Sequence, residues 1–366
     1  MLHILQLPGT LSRSNGRMTV IMNIYREIIK KDIQFDFLVT EVEENDYSEE
    51  IRELGGKIFS LPSGKDNLLA VRKKMREVLS NSSYQYDIVH YHAISSWGFA
   101  IDIPYRKKIK VITHSHATQL SDTIPKSLRN RIFTLNIFLY SNQFIACSDE
   151  AGKKLFIRNK FIYLPNAINP ASFLYDQDKR VSYRKMLKIK DNELLIGNVG
   201  RLAKQKNQQF LIKILGYLIK KSVPAKLLII GDGADMKKLI NIASQFELTD
   251  NVRLIGSVSN PSDYYSAMDV FALPSLFEGL PMVGIEAQTN GLPTVFSSAI
   301  SKQVNVYDAS FIEIKEENIK TWGEAIISHW QKGRDKLALN HIRNNDFDST
   351  FDVQRWVKIY DNRDVL

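Results

Sequence analysis

The stretch that decides the fold reads Pro274-Ser-Leu-Phe-Glu278-Gly-Leu-Pro-Met-Val-Gly-Ile-Glu286. In it, two acidic residues eight positions apart flank a glycine-proline helix start. Pro281 suits a first helical position and Asn290-Gly291 is a helix stop, so the pattern predicts one short helix over residues 281 to about 289. Glu278 then lies in the entering loop and Glu286 inside the helix.

The start of this predicted helix is suited to an anionic ligand. The backbone N–H groups of Gly279, Leu280 and Met282 would point at whatever lies above it, and a helix N-terminus favours a phosphate there. A phosphate between two carboxylates suggests a nucleotide-sugar, which carries hydroxyl groups at both ends. The alternative is an amphipathic helix with solvated Glu residues. The short apolar strand at 268–275 favours the ligand, because open α/β sheets bind nucleotides in strand–loop–helix units.

These residues resemble the Glu-x7-Glu signature of the retaining family 4 glycosyltransferases, and more narrowly the bacterial capsule and exopolysaccharide transferases. The resemblance implies an α/β protein of two facing Rossmann-like domains, the GT-B fold, with a central cleft. It also implies transfer of a sugar from a UDP-sugar or GDP-sugar donor, with retention of anomeric configuration, to a glycan or a lipid-linked sugar. Glu278 would act at the transferred sugar.

Composition agrees with a two-domain enzyme. The chain has 366 residues, of which 44% are hydrophobic and 24% charged, and one core rarely keeps growing at that length. The single cysteine, Cys147, excludes an internal disulfide framework and predicts a small buried side chain. The N-terminus does not resemble a signal peptide, and no apolar run approaches the roughly 20 residues that span a bilayer. A cytoplasmic protein is expected.

Short apolar strands and helical patterns alternate along both halves, which predicts two mostly parallel sheets. Pro165, Asn166, Asn169 and Pro170 break the regular structure between them. The predicted organisation is an N-terminal acceptor-side domain, a linker region, a C-terminal donor-binding domain and a helical tail that could pack back on the N-terminal domain, with bounds 1–165, 166–190, 191–345 and 346–366.

The second half carries a further donor motif. Gly197-Asn-Val-Gly-Arg201 ends a strand, and Lys206 follows five residues later. An Arg fork and a Lys point charge could both hold a diphosphate, whereas cations that merely flank a helix start are mildly unfavourable against its dipole. In the resembling family this Gly-Arg…Lys motif lies at the diphosphate, and the loop that here contains Ser257 and Val258 approaches the nucleotide base.

Two other glycine motifs are less specific. Gly231-Asp-Gly233 lacks the third glycine of a dinucleotide fingerprint, because position 236 is Met, and it predicts a tight strand-to-helix turn. In the first half, Gly16 precedes a predicted helix and could let the backbone approach donor phosphate or acceptor, or could belong to a flexible turn. Relatives often have a Gly-Gly pair and an acidic residue here, so only Gly16 is carried over as a donor contact.

The sequence Thr113-His114-Ser-His116 follows a predicted strand and should lie at its carboxyl end. Two histidines there could contribute to a metal site, although nearby residues offer no obvious third ligand. The resemblance implies instead that one histidine faces the transferred sugar, and His116 is favoured over His114.

Two Asp-x-Asp strings occur, Asp176-Gln-Asp178 and Asp346-Phe-Asp348. Glycosyltransferases of the other common fold use such a motif to hold a metal. The first string lies in the predicted linker and the second in the helical tail, and neither ends a sheet strand. We therefore expect no metal and no other cofactor.

The net charge of +9 is uneven, because residues 1–160 contain 23 Lys+Arg against 17 Asp+Glu. Basic clusters occur at Arg72–Arg76, at Arg106–Lys110 and at Lys126–Arg131, the last continuing into Ile132-Phe133. Such runs are most often solvated helix faces. The competing interpretation is a peripheral contact with the anionic inner face of the plasma membrane, which would suit a lipid-linked acceptor. Nucleic acid is not expected, since no aromatic-basic repeat accompanies the charge.

Three other classes of protein remain as alternatives. A sugar-nucleotide epimerase can share the fold but needs no acceptor. A nucleotide-sugar-binding protein without catalysis would bind the donor and show no turnover. A nicotinamide dehydrogenase is disfavoured by the missing third glycine.

Overall fold

The computed structural model describes residues 1–13, 15–40, 42, 44, 46–61, 67–81, 85–93, 96–116, 135–157, 159–258 and 260–361. The chain divides into two compact units. The first unit combines Met1–Ala167 with Ser349–Leu366, and the second is Ile168–Asp348.

In the described part of the first unit, seven parallel strands form one sheet in the order β3-β2-β1-β4-β5-β6-β7. The strands are short and most of their residues are buried, as expected where helices cover both faces of a parallel sheet. Their bounds are β1 (Leu2–Gly9), β2 (Ile33–Val39), β3 (Ile58–Ser60), β4 (Ile88–Ala93), β5 (Lys110–Ser115), β6 (Gln143–Ala146) and β7 (Ile162–Tyr163).

The helices of the first unit begin where the sequence supplies capping residues. Asn15 accepts a hydrogen bond from the backbone N–H of Arg17, and Ser148 accepts one from that of Ala151. The helices are α1 (Gly16–Ile28), α2 (Ser48–Glu53), α3 (Leu68–Ser80), α4 (Asp102–Arg106), α5 (135–140), α6 (Asp149–Phe156) and, at the C-terminus, α14 (Ser349–Asp361).

Six further parallel strands form the sheet of the second unit in the order β10-β9-β8-β11-β12-β13, again counting described residues. They are β8 (Leu194–Val199), β9 (Ala225–Ile230), β10 (Val252–Leu254), β11 (Val270–Leu273), β12 (Thr294–Ser297) and β13 (Ser310–Ile312). The helices are α7 (Gln177–Met186), α8 (Gln208–Lys220), α9 (Met236–Gln245), α10 (Pro261–Ala267), α11 (Met282–Thr289), α12 (Ile319–Lys332) and α13 (Ala338–Asn344).

Each sheet reverses its strand order beside its first strand. In the first unit β1 lies between β2 and β4, and in the second unit β8 lies between β9 and β11. Helices that follow the two strands on either side of such a point pack on opposite faces of the sheet, which leaves a crevice above the carboxyl ends. Two places are therefore marked by topology alone as ligand sites, above β1/β4 and above β8/β11.

The domain boundaries differ from the sequence prediction. Residues 168–190, assigned to a linker, belong to the second unit. Within them α7 is anchored by Arg180 and Arg184, whose guanidinium nitrogens lie 2.6 and 3.0 Å from the carboxylate of Asp269. The sequence of this polar stretch resembled that of a linker because Asp269, with which its arginines pair, is about 85 residues away and gives no local signal.

The C-terminal helix α14 packs into the core of the first unit. Trp356, Ile359 and Tyr360 are buried there together with residues of α1 and β1. The 18-residue segment that begins at Ser349 is thereby part of the unit formed by the N-terminal residues.

The basic clusters have different environments. On α3, Lys74 pairs with the exposed Glu77 at 2.9 Å, as on a solvated helix face, whereas Arg72 pairs at 2.6 Å with Asp102 of α4, which is buried. The cluster Lys126–Arg131 and the adjoining Ile132-Phe133 lie outside the described residues. In the parts of the chain that the structure covers, no helix is both long enough and apolar enough to cross a bilayer.

Candidate active site

Two loops meet above the strand-order reversal of the second unit. The loop after β8 covers residues 200–207 and the loop after β11 covers residues 274–281. The N–H of Leu276 donates to the carbonyl of Gln205 at 2.8 Å, and the Gln205 side-chain amide donates to the carbonyl of Phe277 at 2.9 Å. These contacts join the Gly-Arg…Lys motif to the Glu-x7-Glu motif, which the sequence separates by about 70 residues.

Lys206 and Glu278 form an ion pair at the junction of the two loops. The Lys206 Nζ atom lies 2.6 Å from Oε1 of Glu278, and both side chains are largely shielded from solvent. Removing one partner of a shielded ion pair lowers stability, because the other charge is then left unpaired and shielded from water. The two predicted donor residues are therefore held together in this structure.

Glu286 lies inside α11 and is only 7% exposed. The hydroxyl group of Tyr265, on α10, donates to Oε2 of Glu286 at 2.7 Å. Burial raises the pKa of the Glu286 carboxyl to about 7, against the Tyr265 hydrogen bond and the charge of Lys206, which lower it. A buried carboxyl with a pKa near neutrality is a frequent mark of a functional site.

The helix containing Glu286 differs slightly from the prediction. It begins at Met282 with Pro281 at its N-cap, one residue later than expected, and ends at Thr289. Glu278 lies in the preceding loop, as predicted, and Gly279 and Leu280 are buried between Glu278 and the helix.

Arg201 is exposed at the same crevice, and among the described residues no carboxylate pairs with its guanidinium group.

Beside Arg201, Gly231 has a φ of 138°, and a Cβ atom there would lie 2.1 Å from the carbonyl oxygen of Gly200. Gly231 is thus the tight strand-to-helix turn that the sequence predicted. The N–H of Gly231 donates to the carbonyl of Gly256 in the loop after β10. In the same loop Ser257 is exposed and Val258 is half-buried.

The first unit gathers four of the chain's seven histidines on neighbouring strands. His90 and His92 lie on β4, His114 lies on β5 opposite His92, and His116 directly follows β5. The ring centroids are 4.2 Å apart for His90 and His92, and 3.9 Å apart for His114 and His116. We call these four residues the histidine stack.

The histidine stack is neutral at physiological pH. Burial lowers the pKa of every member, and each also feels the charge that a neighbouring histidine or a nearby cation would carry. For His114 the pKa falls to about 3, with burial the larger cause and Arg17 the smaller. Neutral imidazoles can bind a metal or exchange hydrogen bonds but carry no charge to a ligand.

The stack supplies the third metal ligand that the sequence did not reveal. Ring nitrogens of His90, His92 and His114 lie within 4.8 Å of one another. The ring planes form angles of 22° for His90/His92, 14° for His90/His114 and 36° for His92/His114. A zinc ion needs lone pairs that converge on one point at about 2.0–2.1 Å, whereas stacked rings direct theirs side by side. One hydrogen bond joins two of these rings, from His116 Nε2 to His92 Nδ1 or the reverse, and among the described residues neither ring nitrogen of His114 has a hydrogen-bond partner.

Gly16 is the first residue of α1 and is exposed. A Cβ atom there would meet nothing within 4 Å, so packing does not require glycine at this position. The next residue, Arg17, donates from Nη1 to the carbonyl oxygens of His92 at 3.1 Å and Ala93 at 3.4 Å. Arg17 therefore occupies the carboxyl end of β4, where the resembling family often has an acidic residue.

The Asp-x-Asp strings serve as local structure. Asp176 is the N-cap of α7 and accepts from the backbone N–H groups of Asp178 and Lys179. Asp348 lies 3.3 Å from the guanidinium of Arg343. Neither string follows a strand of either sheet.

Sequence reasoning missed Tyr265, Gln6, His90 and His92. Tyr265 carried no signal, because its contact with Glu286 joins two helices. The histidines did carry one: Val89-His-Tyr-His92 and Thr113-His-Ser-His116 show the same alternation in strands that pair in parallel. Residues at alternate positions point to one face of a sheet, so the two patterns together predict the histidine stack.

The comparisons with known proteins agree with this architecture. Residues 14–171 match the family model "Glycosyltransferase Family 4", and residues 179–344 match "Glycosyl transferases group 1". The chain is 30% identical to "Putative glycosyltransferase EpsF" of Bacillus subtilis (strain 168) over 331 residues, which is 88% of this chain and 86% of that protein. It is 24% identical to the "O-antigen biosynthesis glycosyltransferase WclY" of Escherichia coli over 370 residues, 96% of each chain.

A third relative and one solved structure bear on the ligands. The "UDP-Gal:alpha-D-GlcNAc-diphosphoundecaprenol alpha-1,3-galactosyltransferase" of Escherichia coli is 28% identical over 247 residues, 63% of this chain and 64% of that protein. The crystal structure of Anabaena HepE in complex with UDP and glucose superposes with a TM-score of 0.81 at 16% identity and covers 98% of this chain and 99% of HepE. Likeness at that identity concerns the fold.

The two parallel-sheet units and the two family matches define the class as a GT-B glycosyltransferase. The chain belongs to the family 4 glycosyltransferases.

Proposed function

We propose that the chain transfers a sugar from a nucleoside-diphosphate sugar to a lipid-linked sugar during surface polysaccharide synthesis, with retention of anomeric configuration. The observation that carries the proposal is the junction of Lys206, Glu278 and buried Glu286 above β8/β11. A cation that pairs with one carboxylate and lowers the pKa of a second matches a ligand whose charged diphosphate is flanked by hydroxyl groups.

In this proposal Arg201 and Lys206 hold the diphosphate together with the start of α11. Both cations offset the negative charge that grows on the leaving group, which is electrostatic stabilisation by preorganised groups. Lys206 would exchange Glu278 for the diphosphate, and Glu278 would then accept a hydroxyl group of the transferred sugar. Glu286 would accept the ribose hydroxyls, and Ser257 and Val258 would lie near the base.

Retention follows in the proposal from attack on the face that the diphosphate leaves. The acceptor hydroxyl forms its bond to the anomeric carbon as the bond to the diphosphate oxygen breaks, and its proton passes to the departing diphosphate. The chain's part is positioning and charge stabilisation, with no cofactor and no metal. The resemblance assigns His116, and more weakly His114, to the transferred sugar, and Gly16 to the donor.

The relatives support the substrate classes. One is named for UDP-galactose and a diphosphoundecaprenol-linked sugar, another for O-antigen biosynthesis, and HepE was solved with UDP and glucose. We carry over from these names a nucleotide-sugar donor and a lipid-linked acceptor.

A surface of the first unit suits that acceptor. On α5, Leu135 and Leu139 are 60% and 62% exposed. The adjoining end of α4 exposes Arg106, Lys107 and Lys108, and Arg106 lies over the Tyr140 ring at 5.8 Å. We call these five exposed residues the α4–α5 patch. Exposed leucines beside three cations are the composition of a surface that meets anionic lipid.

The enzymatic proposal is tested by a thermal-shift screen of UDP- and GDP-sugars, followed by product analysis by NMR with and without a lipid-linked acceptor. We expect transfer only with acceptor, and a product with the donor's anomeric configuration. An inverted product would refute retention. An isomerised nucleotide-sugar formed without acceptor would identify an epimerase, and donor binding without turnover a binding protein.

The membrane proposal is tested by co-sedimentation with vesicles that contain or lack anionic lipid. Each near-surface lysine contributes on the order of 1 kcal/mol, so Lys107→Gln/Lys108→Gln should weaken binding roughly 30-fold. Leu135→Ser/Leu139→Ser should weaken it too. The matched controls in the second unit are Lys237→Gln/Lys238→Gln, also exposed, and Leu337→Ser, at 59% exposure. Equal binding to neutral vesicles, or equal losses in the controls, would contradict the proposal.

A further inference from the structure

The two helices that hold the Tyr265–Glu286 hydrogen bond end at one arginine. Tyr265 lies in the last turn of α10, and Glu286 lies one turn before Asn290, the C-cap of α11. Arg334 lies in the segment between α12 and α13. It donates from Nη2 to the carbonyl of Tyr265 and from Nη1 to that of Asn290, both at 3.0 Å. The ends of α10 and α11 thus share a single side chain.

These contacts close a ring through the donor-site pair. The N–H of Asn290 donates to the carbonyl of Glu286 at 3.2 Å, so one residue links Arg334 to Glu286. On the other side Tyr265 contacts Arg334 directly, and its hydroxyl group donates to Oε2 of Glu286 at 2.7 Å. The Asn290 amide also donates to the Ser266 hydroxyl at 3.3 Å. The spacing of the two helix ends and the Tyr265–Glu286 hydrogen bond therefore depend on each other.

The guanidinium group of Arg334 binds carbonyl groups and not a carboxylate. Nη2 also donates to the carbonyls of Ser266 and Met268, and no described carboxylate forms an ion pair with Arg334. Burial lowers the pKa of Arg334 to about 10, with a smaller contribution from the charge of Arg180, so the group stays protonated at neutral pH. The last carbonyls of a helix lack partners inside it and carry partial negative charge, which explains why a cation serves both ends.

Glu286 keeps one carboxylate oxygen for a ligand. Oε2 accepts from Tyr265, whereas no described residue donates to Oε1, which is not fully enclosed by the protein. The ionisable groups that act on this carboxyl are Tyr265 on α10 and Lys206 in the loop after β8. Arg334 is not one of them, so its effect on Glu286 passes through the two helices.

We propose that Arg334 is a positioning residue of the donor site: by binding the ends of α10 and α11 it holds Tyr265 against Oε2 of Glu286, so that Oε1 is presented to a ribose hydroxyl group. The role of Oε1 rests on the proposed function of Glu286. The planar fork of an arginine reaches two carbonyls in fixed directions, whereas a lysine carries the same charge on a single nitrogen. Arg334→Lys therefore keeps the charge and loosens the ring.

The first test needs no ligand and measures where Glu286 ionises. Urea unfolding between about pH 5 and about pH 9 compares each protein with the same protein carrying Glu286→Gln, and the pH dependence of the difference reports the pKa of Glu286. Tyr265→Phe removes a hydrogen bond to the ionised carboxylate and should move the ionisation upward by roughly 1 pH unit. Arg334→Lys should move it in the same direction by less, and adding Arg334→Lys to Tyr265→Phe should move it no further.

The matched control is Arg180→Lys. Arg180 binds the end of α10 at the carbonyls of Ser266, Ala267 and Met268, and among the described residues it contacts none of α11. Loosening α10 in this way leaves the ring closed, so Glu286 should ionise at its wild-type pH. A wild-type ionisation in Arg334→Lys, an equal shift in Arg180→Lys, or additive shifts in the double variant would overturn the proposal.

The second test connects the ring to the nucleotide. UDP and GDP are titrated calorimetrically at about pH 8 beside their 2′,3′-dideoxy forms, which lack both ribose hydroxyl groups. The wild type should bind the ribose form of its nucleotide about 10-fold more tightly than the dideoxy form. Arg334→Lys should lose most of this preference, whereas a general loosening of the fold would weaken both forms alike, and Arg180→Lys should keep it.

A full ribose preference in Arg334→Lys would contradict the positioning role. Equal binding of both forms by the wild type would instead remove Glu286 from the ribose and so count against the proposed function. The ligand-free measurement still decides in that case whether Arg334 holds Tyr265 against Glu286.

Discussion

Replacing Glu286 by glutamine should stabilise the protein and at the same time remove most of its turnover. The carboxyl is 7% exposed, and burial raises its pKa from the ordinary 4.5 to about 7. Glutamine keeps an oxygen that accepts from Tyr265 but cannot ionise. The stability penalty of ionising a buried group is therefore absent in the variant.

The sign and size of the effect follow from the two pKa values. Between about pH 4.5 and about pH 7 the folded state holds a proton that the unfolded state has released, so stability falls as the pH rises through this window. Above the window the loss is constant at about 3 kcal/mol, from 1.36 kcal/mol for each pKa unit. Glu286→Gln should gain that amount at about pH 8 and about 1 kcal/mol at about pH 5.

The assay is urea unfolding of both proteins at the two pH values, with donor turnover measured in parallel. The control is Glu324→Gln, a solvated carboxylate of the same unit, which should change neither quantity. A residue that lowers stability and supports activity is characteristic of a functional site. A pH-independent difference would refute the buried-carboxyl argument, and full turnover in Glu286→Gln would remove this residue from the donor site.

Three further predictions concern the same crevice. Arg201→Ala should abolish most turnover and leave the unfolding midpoint unchanged. Lys204→Ala, which removes an exposed cation of the same loop, should keep normal turnover. Near-normal rates in Arg201→Ala would contradict the assignment of Arg201 to the diphosphate. Turnover should survive EDTA, since Arg201 and Lys206 are assigned to the diphosphate; loss that Mg²⁺ or Mn²⁺ restores would overturn this. Gly231→Ala should lower the unfolding free energy by about 1–3 kcal/mol, because its Cβ meets Gly200, and by more than Gly256→Ala, where nothing lies within 4 Å; an equal loss would refute the clash.

The sheet strands were predictable because their signal is local. Several strands come from short apolar runs between turn residues, such as Leu2–Leu7, Asp87–Tyr91 and Leu194–Gly200. Each of these strands begins and ends within two residues of the run. The Glu-x7-Glu motif was predictable for the same reason, since Pro281 and Gly291 fix the helix without help from distant residues. Local chemistry thus sufficed for both sheets and for the placement of Glu278 and Glu286.

What the sequence concealed depends on distant partners. The stretch 177–186 has few apolar residues, and contacts with distant residues dock it: Arg180 and Arg184 pair with Asp269, and Tyr183 donates to Asp263. The Lys206–Glu278 contact and the Tyr265–Glu286 hydrogen bond likewise join separate elements of the second unit. No local sequence pattern indicates that these elements lie next to each other. The histidine stack is intermediate, because alternation places each pair on a face and only the pairing of β4 with β5 brings the pairs together.

Topology and residue chemistry select the same positions independently. The reversal of strand order requires only the sheet connections, and it marks the carboxyl ends of β1/β4 and β8/β11. Buried polar groups are costly in a fold that gains most from apolar burial, yet some lie on or next to these strands: Gln6 and His92 in the first unit, and Asn198 in the second, where Glu286 lies on the helix after β11. Asn198 on β8 donates to the carbonyl of Ala272 on β11 at 2.8 Å, which is a buried polar link between the two strands. Stability alone would favour apolar residues at such places, so the polarity of these positions is consistent with the proposed ligand sites.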